Sequence, residues 1–272
     1  MPTALITGAS SGIGAEFARR YAAQGFDLIL AARRTDRMQL LADELSAAHG
    51  TKSRVLAADL SKPGAALSLA NRIDVEVDVL INNSGFGHIG PFDLENLDSI
   101  ADEISVNISA LTQLSRIYYP LMKARGNGVI INIASTASYQ PIPNMSVYAA
   151  SKAYVLNFTE ALWGEAQGTG VKVLAVSPGP TETEFFNIAE GHSLDKKILK
   201  ASDVVDAAFA GLEKNHKKPS VVVGGKNSTM AALAKFVPKR LVIASAISPE
   251  RTPWDWPSAA CRATPPTTGL GG

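Results

Sequence analysis

The chain has 272 residues, with 26 Lys and Arg against 25 Asp and Glu, for a formal net charge of +1. That length accommodates one large domain or two small ones. The near balance of charge excludes a general nucleic-acid binder, which needs a basic excess to displace counterions from phosphates. A single cysteine, Cys261, rules out an intramolecular disulfide and fits a reducing compartment. Strand-like residues begin at Thr3 with no basic, apolar and small-residue leader before them, and no apolar run reaches the roughly 20 residues of a membrane span. A cytoplasmic protein is the expectation.

In chain order, β-branched or leucine-rich runs at residues 4–7, 27–31, 53–57, 77–82, 128–133, 171–177 and 220–223 read as strands. Helical patterns cover 14–24, 35–49, 94–125, 146–165 and 202–213. Near-continuous apolar strands alternating with helices predict an α/β fold: a single doubly wound Rossmann-like domain with a mainly parallel seven-stranded sheet. This domain is expected to span 1–247. The segment 226–247 mixes basic residues with apolar ones. It reads as an amphipathic helix on a membrane or a subunit, or as a helix covering a pocket, with the pocket preferred. From Ser248 the composition turns to Pro, Thr, Ala, Trp and Gly, as in an unstructured end.

The first strand runs into Thr7-Gly8-Ala9-Ser10-Ser11-Gly12-Ile13-Gly14, and a helix follows. Glycines there allow close backbone approach to a pyrophosphate, and the helix N-terminus offers unpaired N–H groups to it. After the second strand, where an acidic residue about 20 positions beyond the glycines would hold ribose hydroxyls, stand Ala32, Arg33 and Arg34. A guanidinium suits a 2′-phosphate. Arg33 is assigned to it, and Arg34 is read as a solvated helix-start residue. Asp59-Leu60 follows the third strand and Asn82-Asn83-Ser84-Gly85 the fourth, at strand carboxyl ends where ligands of such sheets bind. Asp59 either accepts from an adenine amino group or caps a helix. Asn82 and Asn83 either meet ligand or satisfy backbone groups at the sheet end.

Tyr148 and Lys152 stand four apart in a helical pattern, hence on one face. A phenol with a reference pKa of about 10 exchanges protons poorly near neutrality. A neighbouring ammonium is expected to lower that value and make the tyrosine a general acid or base. The histidines His49, His88, His192 and His216 show no metal-ligand spacing, so no metal is expected.

With the glycine pattern, Asn-Asn-x-Gly and Tyr-x-x-x-Lys in that order, the sequence resembles the short-chain dehydrogenase/reductase family over roughly residues 2–200. Asn107 in Ser-Val-Asn-Ile, Ser135 placed 13 positions before Tyr148 (148 − 135), and Pro178-Gly179 extend the match. The resemblance implies NADP(H) as cofactor and a small-molecule carbonyl or alcohol substrate. It implies Tyr148 as proton donor, Lys152 as its electrostatic partner and ribose ligand, Ser135 bonded to the substrate oxygen, and Asn107 holding a water of the proton relay. It further implies Gly8, Ser10, Ser11, Gly12, Ile13 and Gly14 at the pyrophosphate and ribose, with Asp59 and Leu60 at the adenine. Asn83, Ser84 and Gly85 fall to the adenosine side, and Pro178, Gly179, Thr181 and Thr183 to the nicotinamide. Ser84 departs from the alanine more usual there. Ala31-Ala32-Arg33-Arg34 and Gly85-Phe86-Gly87 look similar to a bacterial branch related to hydroxysteroid and long-chain ketoacyl reductases. Phe86, Ile142, Met145, Phe185 and Phe186 are expected to line an apolar or acyl substrate site. The competing classes are an NADP(H)-sensing binding protein, which need not keep Ser135, Tyr148 and Lys152 together, and a methyltransferase, which has no use for Tyr-x-x-x-Lys.

The resemblance also implies a homodimer or homotetramer paired through the helices carrying Asn107 and Tyr148. Deletion of 248–272 is expected to leave melting temperature and activity unchanged, because such termini bury little area. A clear drop in melting temperature would instead mark Trp254 and Trp256 as docked.

Overall fold

The computed structural model describes residues 1–182, 198–213, 218–234 and 236–246. Thr183, Phe185, Phe186 and the 248–272 segment lie outside the described residues. The strands are β1 Thr3–Thr7, β2 Asp27–Ala32, β3 Ser53–Ala57, β4 Val79–Asn82, β5 Gly128–Ile133, β6 Val171–Ser177 and β7 Ser220–Val222. They form one sheet in the order β3-β2-β1-β4-β5-β6-β7, parallel in all six pairings. The helices are α1 Gly12–Ala23, α2 Thr35–His49, α3 Ala65–Asn71, α4 Leu97–Ile104, α5 Leu111–Arg125, α6 Ser146–Glu165, α7 Ala201–Glu213, α8 Gly225–Ala234 and α9 Lys239–Ala246. None of the described helices is long and apolar enough to cross a membrane.

Strand side chains alternate between faces, so each strand feeds two cores. Ala4, Ile6, Leu28 and Leu30 pack with Phe17, Met38 and Val204 on one face of the sheet. Leu5, Ile29 and Leu80 pack with Leu69, Leu114 and Met122 on the other. This two-sided burial is why β1 is buried at every position and reads as an uninterrupted apolar run. The chain order turns back between β1 and β4. The loops that leave these two strands diverge there and open a crevice at their carboxyl ends.

Most element ends fall within two residues of the sequence reading, and the larger differences are these. The single helix expected over 94–125 begins at Leu97, after a 3-10 turn at Phe92–Leu94, and α4 joins α5 through a π-helical stretch, Ser105–Ala110. Asn96 sets the start of α4, its side chain accepting from the N–H groups of Asp98 and Ser99. The buried positions Glu103, Val106, Asn107, Ala110, Leu111 and Leu114 keep steps of three and one through the π stretch, which hides it from periodicity. The fourth strand starts at Val79, not residue 77. The 226–247 segment holds two helices, α8 and α9, separated at Pro238, whose ring cannot continue a helix interior. Helix α3 is too short, at seven residues, to register as a period.

Beneath the crevice lies a buried polar seam. Asn82 of β4 donates to Ser115 Oγ (3.1 Å) and to Asn132 Oδ1 (2.9 Å), and Asn132 of β5 donates to Thr159 Oγ1 (2.9 Å). It joins two central strands to α5 and α6 in an apolar layer, where losing one partner strands the others. Asn132→Ala is expected to cost about 2 kcal/mol, lowering Tm by roughly 4–8 °C in calorimetry. An unchanged Tm would show that the seam does not hold the strands.

Candidate active site

The glycine turn after β1 is locked to the end of β4. Thr7 Oγ1 accepts from the N–H groups of Asn83 (3.0 Å) and Ser84 (3.1 Å) and donates to the carbonyl of Ile81 (3.2 Å). The Asn83 amide donates back to the carbonyls of Thr7 (3.1 Å) and Gly8 (3.2 Å). Gly8 has φ +66°, and a Cβ on it would stand 2.7 Å from Asn83 Nδ2. A Cβ on Gly14 would collide with the carbonyl of Gly8. Side chains at either place would separate the turn from the strand end.

A cleft of about 940 Å3 opens above this seam. Its walls include Gly8, Ser10, Ser11, Gly12, Ile13, Arg33, Asp59, Leu60, Asn83, Ser84, Gly85, Ser135, Tyr148, Lys152, Pro178, Gly179 and Thr181. Every described site residue expected from the sequence is therefore brought to it except Gly14 and Asn107, which lie behind its wall. Thr183 lies outside the described residues. Phe86, Ile142 and Met145 line the cleft as expected, joined by Asn227 and Met230 of α8. Asn227 sits against Gly179, where a Cβ would stand 2.5 Å from its Nδ2. No motif marked this asparagine.

Arg34 is exposed at the N-cap of α2, as its reading as a solvated helix-start residue has it. Its guanidinium also reaches back over the glycine turn to Ser10 Oγ (3.2 Å) and Ser11 Oγ (3.1 Å), lining the cleft beside Arg33. Asp59 accepts from the N–H (3.1 Å) and hydroxyl (2.9 Å) of Ser61. Burial opposes its charge, yet these bonds together with Lys62 and Arg33 hold the carboxyl below its usual value.

At the other end of the cleft, Ser135 is the extended N-cap of the 3-10 turn Thr136–Tyr139, its Oγ accepting from Ala137 N–H (3.1 Å). Ser138 closes the capping box and donates to the carbonyl of Lys152 (2.8 Å), tying the serine turn to α6. Ser135 also hydrogen-bonds the Tyr148 phenol. Lys152 Nζ donates to the carbonyl of Ile133 (2.8 Å) and lies 5.8 Å from the centroid of the Tyr148 ring. Gly87 admits that ring: a Cβ there would stand 2.5 Å from Tyr148 Cδ2. Asn107, in the π stretch, grips the backbone of Phe86, accepting from its N–H (3.1 Å) and donating to its carbonyl (2.8 Å), and also donates to Ser151 Oγ (3.0 Å).

The electrostatics correct one expectation. Burial pushes the Tyr148 phenol up to about 12, against the pull of the Ser135 hydroxyl and with a further push from the charge of Glu103. Lys152 does not bring it below 10, because burial also acts on the lysine, lowering it to about 8 while Glu103 opposes the shift.

Between about pH 8 and 10.5 the folded protein therefore binds fewer protons at Lys152 than the unfolded chain does. The destabilisation is complete below pH 8 and vanishes as pH climbs through 10.5. The drop corresponds to about 3 kcal/mol, partly offset by roughly 1 kcal/mol for the bond to Ile133. Lys152→Met is thus expected to melt several degrees higher than the native protein near neutral pH, with the difference closing at high pH. A variant that melts lower at neutral pH contradicts this reading of the lysine.

Residues 2–191 match the sequence profile of the short chain dehydrogenase family. Sulfoacetaldehyde reductase 2 of Chromohalobacter salexigens is 37% identical over 220 residues, 75% of this chain and 86% of that protein. The 7beta-hydroxysteroid dehydrogenase of Collinsella aerofaciens is 31% identical over 232 residues, 82% of this chain and 86% of that protein. Among solved structures, a short-chain dehydrogenase from Sphingobium yanoikuyae in complex with NADPH superposes with a TM-score of 0.79 at 33% identity, covering 94% of this chain and all of that one. The turn, the seam and the Ser135–Tyr148–Lys152 cluster thus occur within a match spanning most of the chain: it belongs to the short-chain dehydrogenase family of oxidoreductases.

Proposed function

We propose that the protein interconverts a carbonyl and a secondary alcohol with NADP(H), and that Tyr148 is its general acid and base. The observation that carries this is the convergence of Ser135, Tyr148 and Lys152 on the same cleft as the glycine turn. The turn fits a dinucleotide: Gly8 and Gly14 let it fold tightly against Asn83, and the first turn of α1, with Gly12 and Ile13 at the cleft, has the N–H groups that a helix start leaves unpaired. Arg33 and Arg34 supply two guanidinium groups where a 2′-phosphate would lie, and the NADPH complex of the Sphingobium relative supports that choice. The nicotinamide supplies or takes the hydride.

The chain's own residues do the rest. Ser135 holds the substrate oxygen, its rotamer set by the capping box. Tyr148 gives that oxygen a proton in reduction and takes it back in oxidation. With its pKa near 12 the phenol stays protonated through neutral pH, which suits reduction. Lys152 stabilises the phenolate formed in the step, so reduction should weaken as pH rises through about 8 and its ammonium is lost. Asn107 fixes the Phe86 backbone and with it the wall facing the tyrosine.

Phe86, Ile89, Ile142, Met145 and Met230 give the substrate end an apolar lining, favouring a bulky or acyl carbonyl, in keeping with the hydroxysteroid relative. The sulfoacetaldehyde reductase supports a second reading, a small anionic aldehyde. Following NADPH absorbance against steroid ketones, 3-oxoacyl esters and sulfoacetaldehyde separates the two. The assembly we propose is a homodimer or homotetramer in the cytoplasm, with Leu97, Ile104, Leu121 and Tyr154 exposed on α4 to α6 as pairing surface. A monomer in sedimentation would count against it.

Tyr148→Phe is expected to abolish turnover while NADPH still binds, because it keeps the ring and removes the transferable proton. Near-native turnover in this variant would sink the mechanism. Arg33→Ala is expected to weaken NADPH binding roughly ten- to a hundredfold and leave NADH almost unchanged, the loss of one bidentate phosphate contact. Equal weakening of both would remove the phosphate assignment.

A further inference from the structure

Behind the cleft wall lies a carboxyl group that the chemistry above does not use. Glu103, in the last turn of α4, has 1% of its side-chain surface exposed, and its Oε1 has no hydrogen-bond partner among the described residues. Its Oε2 lies 3.4 Å from Nδ1 of His88, whose side chain is 35% exposed. Full burial of a carboxyl with one free oxygen costs stability, so its retention calls for a use.

Its position suggests one. Glu103 stands four residues before Asn107, and both side chains are buried. Asn107 and Lys152 flank Gly85, where a Cβ would lie 3.0 Å from Asn107 Oδ1 and 3.2 Å from Lys152 Nζ. His88 follows Gly87, the residue packed on the Tyr148 ring, and meets Phe86 edge-on at 5.6 Å. Lys152 and Asn107 thus meet beside Gly85, Glu103 meets His88 at the surface, and the charge of Glu103 acts on both Tyr148 and Lys152. Facing Glu103 are His88 from the loop after β4, Glu95 from the turn before α4, and Tyr148 and Lys152 from α6. Asp102 beside it lines the cleft and pairs with Lys62 at 3.8 Å.

We propose that Glu103 and His88 form the outer branch of a proton relay that returns a proton to Tyr148 after each carbonyl reduction. This rests on the function proposed above. Reduction consumes one proton, which leaves the Tyr148 hydroxyl for the substrate oxygen. Lys152 gives a proton to the phenolate. The carboxylic acid of Glu103 gives one to Lys152, through a water on its free Oε1, and His88 passes one from solvent to Glu103. In oxidation each transfer reverses. Burial raises the pKa of Glu103, with the His88 bond pulling it down and Glu95 pushing it up, so the acid form persists above the usual carboxylate range. Both are positioning and relay residues, since neither touches the cleft.

The test compares native protein, Glu103→Gln, His88→Ala and Tyr148→Phe with NADPH and whichever carbonyl the native protein reduces. In His88→Ala the first turnover should keep its native rate while steady-state turnover at alkaline pH falls at least about tenfold. In Glu103→Gln, whose lost charge also shifts Tyr148 and Lys152, the ratio of steady-state to first-turnover rate should fall by the same factor. Free imidazole should restore His88→Ala and leave Glu103→Gln unrepaired. Tyr148→Phe should lose both phases. Independently of activity, the carboxyl carbon signal absent from Glu103→Gln should titrate above the usual glutamate range, and at still higher pH in His88→Ala, where the favourable bond is gone. Native steady-state rates in both variants, or an equal loss in first and later turnovers without imidazole rescue, overturn the relay and leave the proposed function standing. A native protein that turns over no carbonyl fails at the earlier step and takes the relay with it.

Discussion

The hydrogen bonds between Thr7 and Asn83 are the constraint on which the site depends. They fasten the turn after β1 to the end of β4 at the place where the strand order reverses. A parallel sheet must open there, since successive crossovers go to opposite sides. Without the seam the glycine turn would be an ordinary loop beside a crevice. With it, the turn, Ser84 and Gly85 share one rigid wall. The buried Asn82–Asn132–Thr159 bonds extend the same stitching to β5 and α6, which carry Ser135 and Tyr148. Two sets of side-chain bonds, joined through the β4 backbone, thereby hold the glycine turn and the Ser135–Tyr148 end in place across the middle of the sheet.

Burial then sets the chemistry. Lys152 is an ammonium held among apolar residues by one carbonyl, and Tyr148 a phenol whose ionisation burial opposes. Each is displaced from its ordinary titration range in the direction that desolvation dictates. In the proposed reaction, a lysine kept in such surroundings would give up stability for electrostatics in the transition state. Glu103 belongs to the same economy of charge: it acts on both groups from behind the wall, and its own protonation responds to His88.

Much of this was legible in the sequence, for physical reasons. Strands buried on both faces advertise themselves as apolar runs, and glycines that a Cβ would block stand at invariant geometric needs, so the sheet, the turn and the Tyr148–Lys152 spacing could be read directly. The π stretch at Asn107 could not, because the buried positions from Glu103 to Leu114 keep helix-like spacing straight through it. Arg34 stands exposed at the start of α2 as read, but its bonds to Ser10 and Ser11 could not be read, because only the backbone path of the turn brings those serines under its guanidinium. Asn227 and Glu103 carry no motif. Their importance comes from what lies across from them in space. The lowered tyrosine pKa failed for a related reason: proximity on a helix says nothing about how deeply both partners are buried.

The central claim is that hydride passes between a nicotinamide and a carbonyl carbon within this cleft. NADPH carrying deuterium at the transferred position of the nicotinamide tests it most directly, with the product of a reduced ketone examined by mass spectrometry. The account predicts one deuterium on the carbinol carbon, and, when the reaction is instead run in heavy water with ordinary NADPH, solvent deuterium only on the exchangeable hydroxyl. A carbinol carbon without deuterium from the cofactor, or one labelled from solvent, would contradict it.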